Sequence, residues 1–371
     1  MKIARLPSGK WQVRVSFQED GRQKEISRSF SRRREAEAWQ RHHEVDRDHG
    51  RLRRPSRQAL GDYLDHWLRT LTGLGGRTHE DYTNITRRYL VPALGRRRLD
   101  QLSPPMVREM LAALTASGRS PRTVQYVRAV LRRALNQAVS DGLLLVNPAA
   151  GRGMVPKLTQ REMSVLSVAQ VNRLLSETRD DPHHALWATL LTTGIRPSEA
   201  LGLQWSDVNL ERGELRVVRK LRRPMQGAAW VLEDCKTEKS RRVIPLVGVT
   251  VEALQRHRDR QAVERLVAGA GYRDHGFVFA DARGEPLRGD GVTNYAWRPM
   301  LARLNLPHVR LYDCRHSAAT MLLESGVPMK VVQEMLGHSS ITVTGDIYSH
   351  VTPAFARQAA DALAAHLAQA G

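Results

Sequence analysis

The sequence predicts a multidomain protein: a small three-stranded β-sheet with one helix, an all-α domain, and an α+β domain that is mostly helical with a small antiparallel sheet. Three observations carry that prediction. Apolar residues alternate with polar ones near the N-terminus and recur at helical spacing through the next hundred residues; beyond that, helical runs enclose three short strand-like stretches. A length of 371 residues is ample for a core in each of three domains.

The first domain covers residues 1–56. Trp11, Val13, Val15 and Phe17 alternate with Gln12, Arg14 and Ser16, the period of a half-buried strand. Glu19-Asp20-Gly21-Arg22 signals a turn, and Lys24 to Phe30 returns as a second strand. A strand over Lys2 to Leu6, closed by Pro7-Ser8-Gly9, precedes them. Ser31 is placed to cap a helix whose inward face carries Ala36, Trp39 and His43. Arg51 to Ser56 forms a basic linker.

Residues 57–155 form the all-α domain. Leu60, Tyr63, Leu64, Trp67 and Leu68 fall on one helical face. Ser103-Pro104 and Ser120-Pro121 each set a capping hydroxyl before a proline at the first helical position. Apolar positions from Val124 to Val139 again follow helical spacing, and Gly142 stops the run. A linker with Pro148, Gly151, Gly153 and Pro156 closes the domain.

The third domain covers residues 165–371. Ser167 caps a helix leading to Leu174-Leu175, and a second runs from His184 to Thr193 and ends at Gly194. Strands are expected over Glu214 to Lys220, Trp230 to Cys235 and Arg242 to Leu246, with helices from about residue 248 onward. The segment Pro353 to Ala370 is alanine-rich and amphipathic, suited to docking on a neighbouring protomer or on its own domain.

Charge narrows the partner. Fifty-eight Lys+Arg against 38 Asp+Glu leave a net charge of +20, and no long apolar run is present, so nucleic acid is favoured over membrane. Arg14, Arg32, Arg33 and Arg34 are candidate phosphate contacts in the first domain, and Arg128, Arg132 and Arg133 in the second. Cys235 and Cys314 are too few for a disulfide scaffold or a thiolate zinc site and fit a reducing cytosol; no secretion signal opens the chain. Histidine pairs at 42–43 and 183–184 lack a metal-ligand set, so neither metal nor cofactor is expected.

Four residue types in order suggest chemistry on phosphate. Arg196 stands in Thr193-Gly194-Ile195-Arg196-Pro197-Ser198-Glu199, at a corner where Glu199 can brace its guanidinium. Lys236 and Lys239 share the turn between the second and third strands of the third domain; an ammonium there can protonate a leaving oxygen, whereas a guanidinium effectively cannot. Tyr312, Arg315 and His316 are spaced to share a helical face, with His316 a packing residue behind Arg315. Leu336-Gly337-His338 ends one helix, and Tyr348 lies late in the next, in Asp346-Ile347-Tyr348-Ser349-His350. Arginines neutralise non-bridging oxygens, the imidazole adds a hydrogen bond, and a phenol oxygen is a nucleophile: a set able to attack a phosphodiester without a metal.

These motifs resemble the tyrosine recombinase family, and within it the lambda-type phage integrases. Thr193 to Leu201 resembles the first arginine box; Lys236-Thr237 followed by Ser240, Arg242 and Ile244-Pro245-Leu246 resembles the lysine hairpin, which selects Lys236 over Lys239. Asp313 to Thr320 resembles the second arginine box, and Leu336-Gly337-His338 with Asp346-Ile347-Tyr348 resembles the last histidine and the nucleophile. The resemblance implies an arm-site-binding first domain, a core-site-binding second and a catalytic third. It implies site-specific recombination of double-stranded attachment-site DNA, integrating or excising a phage or other mobile element. The route is a 3′-phosphotyrosyl intermediate formed by a tetramer on DNA, without metal or ATP. An excision factor or host DNA-bending protein belongs to the same picture, as does a bacterial cytoplasm with the nucleoid as working place. One position departs: the family most often has histidine where this chain has Tyr312, leaving the phenol or His308 to fill that role. Competing classes are a non-catalytic DNA-binding descendant, a type IB topoisomerase and an Xer-like resolvase.

Overall fold

A computed structural model describes residues 2–19, 22–48, 56–151, 153–156, 164–224, 229–235, 241–337, 340, 345 and 367. The chain divides into two compact units, Met1–Gln160 and Arg161–Gly371.

The first unit opens on an antiparallel meander of Lys2–Arg5, Trp11–Glu19 and Arg22–Phe30. Val15 pairs with Ile26 and Trp11 with Phe30, so the alternating apolar set falls on one face, where Val13 and Val15 are fully buried. Helix Arg33–Asp48 covers that face with Ala36 and Trp39, the indole lying 5.9 Å from the Phe30 ring. The helix starts after Arg32, one residue past Ser31. The carbonyl of Arg32 accepts the first helical bond from Ala36, and Arg33 secures the first turn by pairing with Glu37 at 2.9 Å and lying over the Trp11 ring.

The helical part of this unit keeps a core separate from the sheet's. Leu60–Thr70 buries the expected five residues, and Tyr63 donates its hydroxyl to the carbonyl of Ala134 in Pro121–Ser140. Ser120 caps that last helix through a bond from the Thr123 amide, whereas the Ser103 hydroxyl makes no cap bond to Pro104–Ala116. Proline at the first helical position is thus common to both helices, and hydroxyl capping belongs to only one. A helix absent from the sequence reading spans Gly76–Ile85, a wide turn Thr86–Leu90, and Val91–Leu94. Pro92 explains the wide turn: it has no N–H to give and its ring displaces the carbonyl a turn back, so Val91 bonds instead to Thr86, five residues away.

In the second unit, Ser167 and Gln170 form a reciprocal capping box at the start of Val168–Glu177. His184–Thr193, Gly248–Ala268, Cys314–Glu324 and Met329–Leu336 supply most of the helical framework. Trp187 and Trp297 are both fully buried in its core, their rings 5.0 Å apart. The stretch expected as one strand over Glu214 to Lys220 is two. Glu214–Val217 pairs with Val208–Asn209 and Arg242–Pro245, and Arg219–Arg222 pairs with Val231–Asp234. The change of sheet falls at Val218, whose carbonyl accepts from the Cys235 amide. Gly202 allows the second strand its place: a Cβ there would lie 2.6 Å from the Leu221 nitrogen.

Candidate active site

The site is built on two helix ends that only glycine permits. Gly194 closes His184–Thr193 with φ +65°, and a Cβ there would lie 2.6 Å from Leu336 Cδ2. Gly337 closes Met329–Leu336 with φ +68°. Past Gly194 the chain buries Ile195 and then turns at Arg196 into the short helix Pro197–Ala200.

Glu199, 4 % exposed, gathers the arginines. One carboxylate oxygen accepts from Arg196 Nη1 at 2.6 Å; the other accepts from the Arg196 amide at 3.0 Å and from Arg242 Nη2 at 2.9 Å. Burial pushes the Glu199 carboxyl upward, but the adjoining Arg242 and then Arg196 outweigh it and hold the group below the ordinary carboxylate range. Arg196 also donates to the Gly337 carbonyl at 3.3 Å, and Arg242 Nε to the Met335 carbonyl at 2.6 Å.

Arg315 sits in the first turn of Cys314–Glu324 and is 1 % exposed. Its Nη1 donates to the Gly194 carbonyl at 3.0 Å; Nε and Nη2 have no hydrogen-bond partner among the described residues. Desolvation first, and the neighbouring Arg196 charge second, lower its affinity for the proton, yet a guanidinium stays cationic at neutral pH. Two buried N–H donors on a cation with nowhere to bond are costly unless an anion is their intended partner.

Tyr312 precedes Arg315 in a tight turn, Leu311–Asp313, rather than sharing its helix. Its ring is 46 % exposed and meets the His316 ring edge-on at 5.8 Å. His308 is exposed in the preceding segment. His316 is buried, which disfavours its cationic form despite Asp313 nearby. Asp313 itself accepts both donors of Arg310, at 2.7 and 2.9 Å. Burial raises the thiols of Cys314 and Cys235, so neither is primed as a nucleophile.

Lys236, Lys239, His338 and Tyr348 lie outside the described residues, as do residues 353–366 and 368–370 of the C-terminal segment. The described chain therefore brings together Arg196, Glu199 and Arg315 of the anticipated set, with Tyr312 beside Arg315 in sequence. It adds Arg242 and the carbonyls of Gly194, Met335 and Gly337. The lysine-hairpin resemblance includes Arg242, but no spacing rule gave its partners, which are 43 and 93 residues away.

The candidate DNA contacts differ in their freedom. Arg32 and Arg34 are exposed, Arg33 is engaged as described, and Arg14 is exposed on the middle strand with Gln12 and Glu25 as neighbours. In the helical domain Arg128 donates to the Gly151 carbonyl, and Arg133 donates to the Tyr82 hydroxyl at 3.1 Å. With exposed Arg132 these two line a cleft of about 520 Å³, shared with Gln125, Asn136 and Val155.

Residues 164–354 match the phage integrase family. An integrase of Streptomyces ambofaciens is 31 % identical over 354 residues, covering 91 % of this chain and 89 % of that protein. A XerC-like tyrosine recombinase of Caldanaerobacter subterraneus subsp. tengcongensis is 28 % identical over 313 residues, 80 % of each chain. Among solved structures, the Tn1549 transposon integrase in complex with a circular intermediate DNA superposes with TM-score 0.70 at 23 % identity, over 82 % of this chain and 99 % of that one. A lambda integrase dimer bound to a COC′ core site superposes with TM-score 0.58 at 17 % identity, over 93 % of both. The fold is the one these structures share, and the chain belongs to the phage integrase family of tyrosine recombinases.

Proposed function

We propose that this site-specific recombinase cuts and rejoins DNA by transesterification at a site made of Arg196, Lys236, Tyr312, Arg315, His338 and Tyr348. Tyr348 gives its phenol proton up to solvent as its oxygen attacks the scissile phosphorus. A tyrosyl–phosphate bond forms at the 3′ side and the bond to the 5′ oxygen breaks, with Lys236 giving that oxygen its proton. Arg196, Arg315 and His338 hold the charge on the non-bridging oxygens, and Tyr312 adds a hydrogen bond from its exposed hydroxyl. The ester bond energy is kept in the phosphotyrosine, so a 5′-hydroxyl of a second duplex reverses the reaction without ATP or metal. The observation that carries this reading is Arg315: it is buried beside Arg196 with two donors unmatched among the described residues, while Glu199 holds Arg196 in place.

The same reading assigns Arg14, Arg32, Arg33, Arg34, Arg128, Arg132 and Arg133 to the DNA backbone and divides the chain at residues 1–56, 57–155 and 165–371. A lambda integrase tetramer bound to a Holliday junction has the same fold, with TM-score 0.58, and supports a tetramer on DNA here. An excision factor or host DNA-bending protein would act on that assembly. No helix among the described residues is long and apolar enough to cross a membrane, and DNA is the working place, in the cytoplasm and at the nucleoid. A nicked suicide substrate tests the chemistry. Wild type is expected to give a denaturation-resistant protein–DNA adduct and Tyr348→Phe none; a wild type that binds its site and gives no adduct would defeat the proposal.

A further inference from the structure

We infer that Arg242 is a positioning residue for the transesterification, the clasp that sets Arg196 and the helix end before His338 in one geometry; the inference rests on the recombinase reading above. Its guanidinium is 7 % exposed and joins three segments distant in sequence. Nη2 holds the Glu199 oxygen that also receives the Arg196 amide, which fixes the rotation of the carboxylate and hence of the Arg196 side chain on its other oxygen. Nε holds the Met335 carbonyl, in the last turn before Gly337 and His338. Arg242 also opens the strand Arg242–Pro245, which follows Lys236 closely in sequence.

Gly337 is shaped around this clasp. A Cβ there would lie 3.1 Å from Arg242 Nη1, so glycine serves the close approach as well as its positive φ. Only a planar fork serves both acceptors. Nε and Nη2 point along one edge of the guanidinium to two oxygens on different elements, whereas a lysine ammonium is one point on a flexible stem. Arg242 is too buried to meet DNA, so its effect passes through Arg196 and the helix end.

The test is single-turnover adduct formation on the nicked substrate, with DNA affinity measured separately, for wild type, Arg242→Ala and Arg242→Lys. Misplacing a phosphate-holding group by an ångström costs about 100-fold in rate. We expect roughly that loss for Arg242→Ala and about tenfold for Arg242→Lys, which keeps the Glu199 pair but loses the Met335 tie, with affinity within about threefold. The same substrates with a methylphosphonate at the scissile position separate positioning from general damage. That linkage lacks the charge that Arg196 neutralises, so the Arg242→Ala deficit should shrink about tenfold on it. An equal deficit on both linkages, a wild-type rate in Arg242→Ala, or a rate loss tracking lost affinity overturns the inference and leaves the recombinase reading intact. Should Arg242→Ala fail to fold, a wild-type rate in Arg242→Lys overturns it alone. A wild type with no adduct removes both.

Discussion

Replacing Glu199 with glutamine changes one atom and tests the centre of the site. The carboxylate accepts from Arg196 Nη1, the Arg196 amide and Arg242 Nη2, all within 3.0 Å, at 4 % exposure. Glutamine keeps the shape but turns one acceptor into a donor facing another donor, and it removes the only described carboxylate in contact with these guanidinia. Removing one partner of a buried ion pair costs about 3–5 kcal/mol. Arg196 retains 31 % exposure and can recover some hydration, which favours the lower end, about 3 kcal/mol. Urea unfolding of the full chain, followed by tryptophan fluorescence, reads the loss, since Trp187 is buried in the helix that ends at Gly194. The sign with pH is fixed by the depressed Glu199 carboxyl. Its contribution is present above the ordinary value of 4.5 and is lost as pH falls through the lower, folded value. The gap between wild type and Glu199→Gln should therefore be full at neutral pH and close in acid. A gap under about 1 kcal/mol at neutral pH, or one that persists undiminished in acid, would refute the account of Glu199 as the brace.

Two further predictions use other parts of the molecule. His257 is buried, accepts from Arg260 at 2.7 Å and donates to the Val278 carbonyl at 2.6 Å, and burial lowers it from 6.5 to about 4. The unfolded chain binds the extra proton between those values, so stability falls as pH drops below 6.5; from pH 7 to 5 wild type should lose about 2 kcal/mol more than His257→Gln, and parallel stability curves would contradict this. Arg132 is exposed at the mouth of the cleft in the helical domain, so Arg132→Ala should lower the salt dependence of DNA binding by about one unit of slope, with an unchanged slope removing it from the interface.

What the sequence made legible was local. Gly194 and Gly337 announce helix ends because a left-handed residue after a helix is nearly always glycine, and Ser167 with Gln170 three residues later announces a start. The apolar stripe from Leu60 to Leu68 could be read because burial follows the helical period. The break at Val218 was hidden, since β-rich sequence continues through it and only the partner strands decide where the chain changes sheet. The wide turn before Pro92 was legible in principle, and the same pattern recurs in Val292–Trp297, directly before Arg298-Pro299. Of the site, Glu199 as the brace of Arg196 was readable at a spacing of three residues. Arg242 was marked by the lysine-hairpin pattern, but its inward turn was not legible, because its partners lie far along the chain.

The unequal treatment of the two arginines has an electrostatic logic. Arg196 is tied to a carboxylate, whereas among the described residues Arg315 is tied to the neutral carbonyl of Gly194. Arg196 and Arg242 contact the Glu199 carboxylate and Arg315 feels its charge, so guanidinia outnumber carboxylates in this described cluster. A phosphodiester brings one negative charge. In the proposed reaction the attacking phenol oxygen, once its proton is gone, brings a second, and the pentavalent phosphorane carries both. Buried Arg315 and braced Arg196, held in place before the anion arrives, thus favour the more highly charged transition state over the bound substrate, which is the condition for rate rather than affinity. Were Arg315 paired with a carboxylate of its own, its charge would already be neutralised before the phosphate arrived. Glu199 fixes the direction of Arg196 while Arg242 offsets its charge, which gives a carboxylate a place in a site meant for an anion.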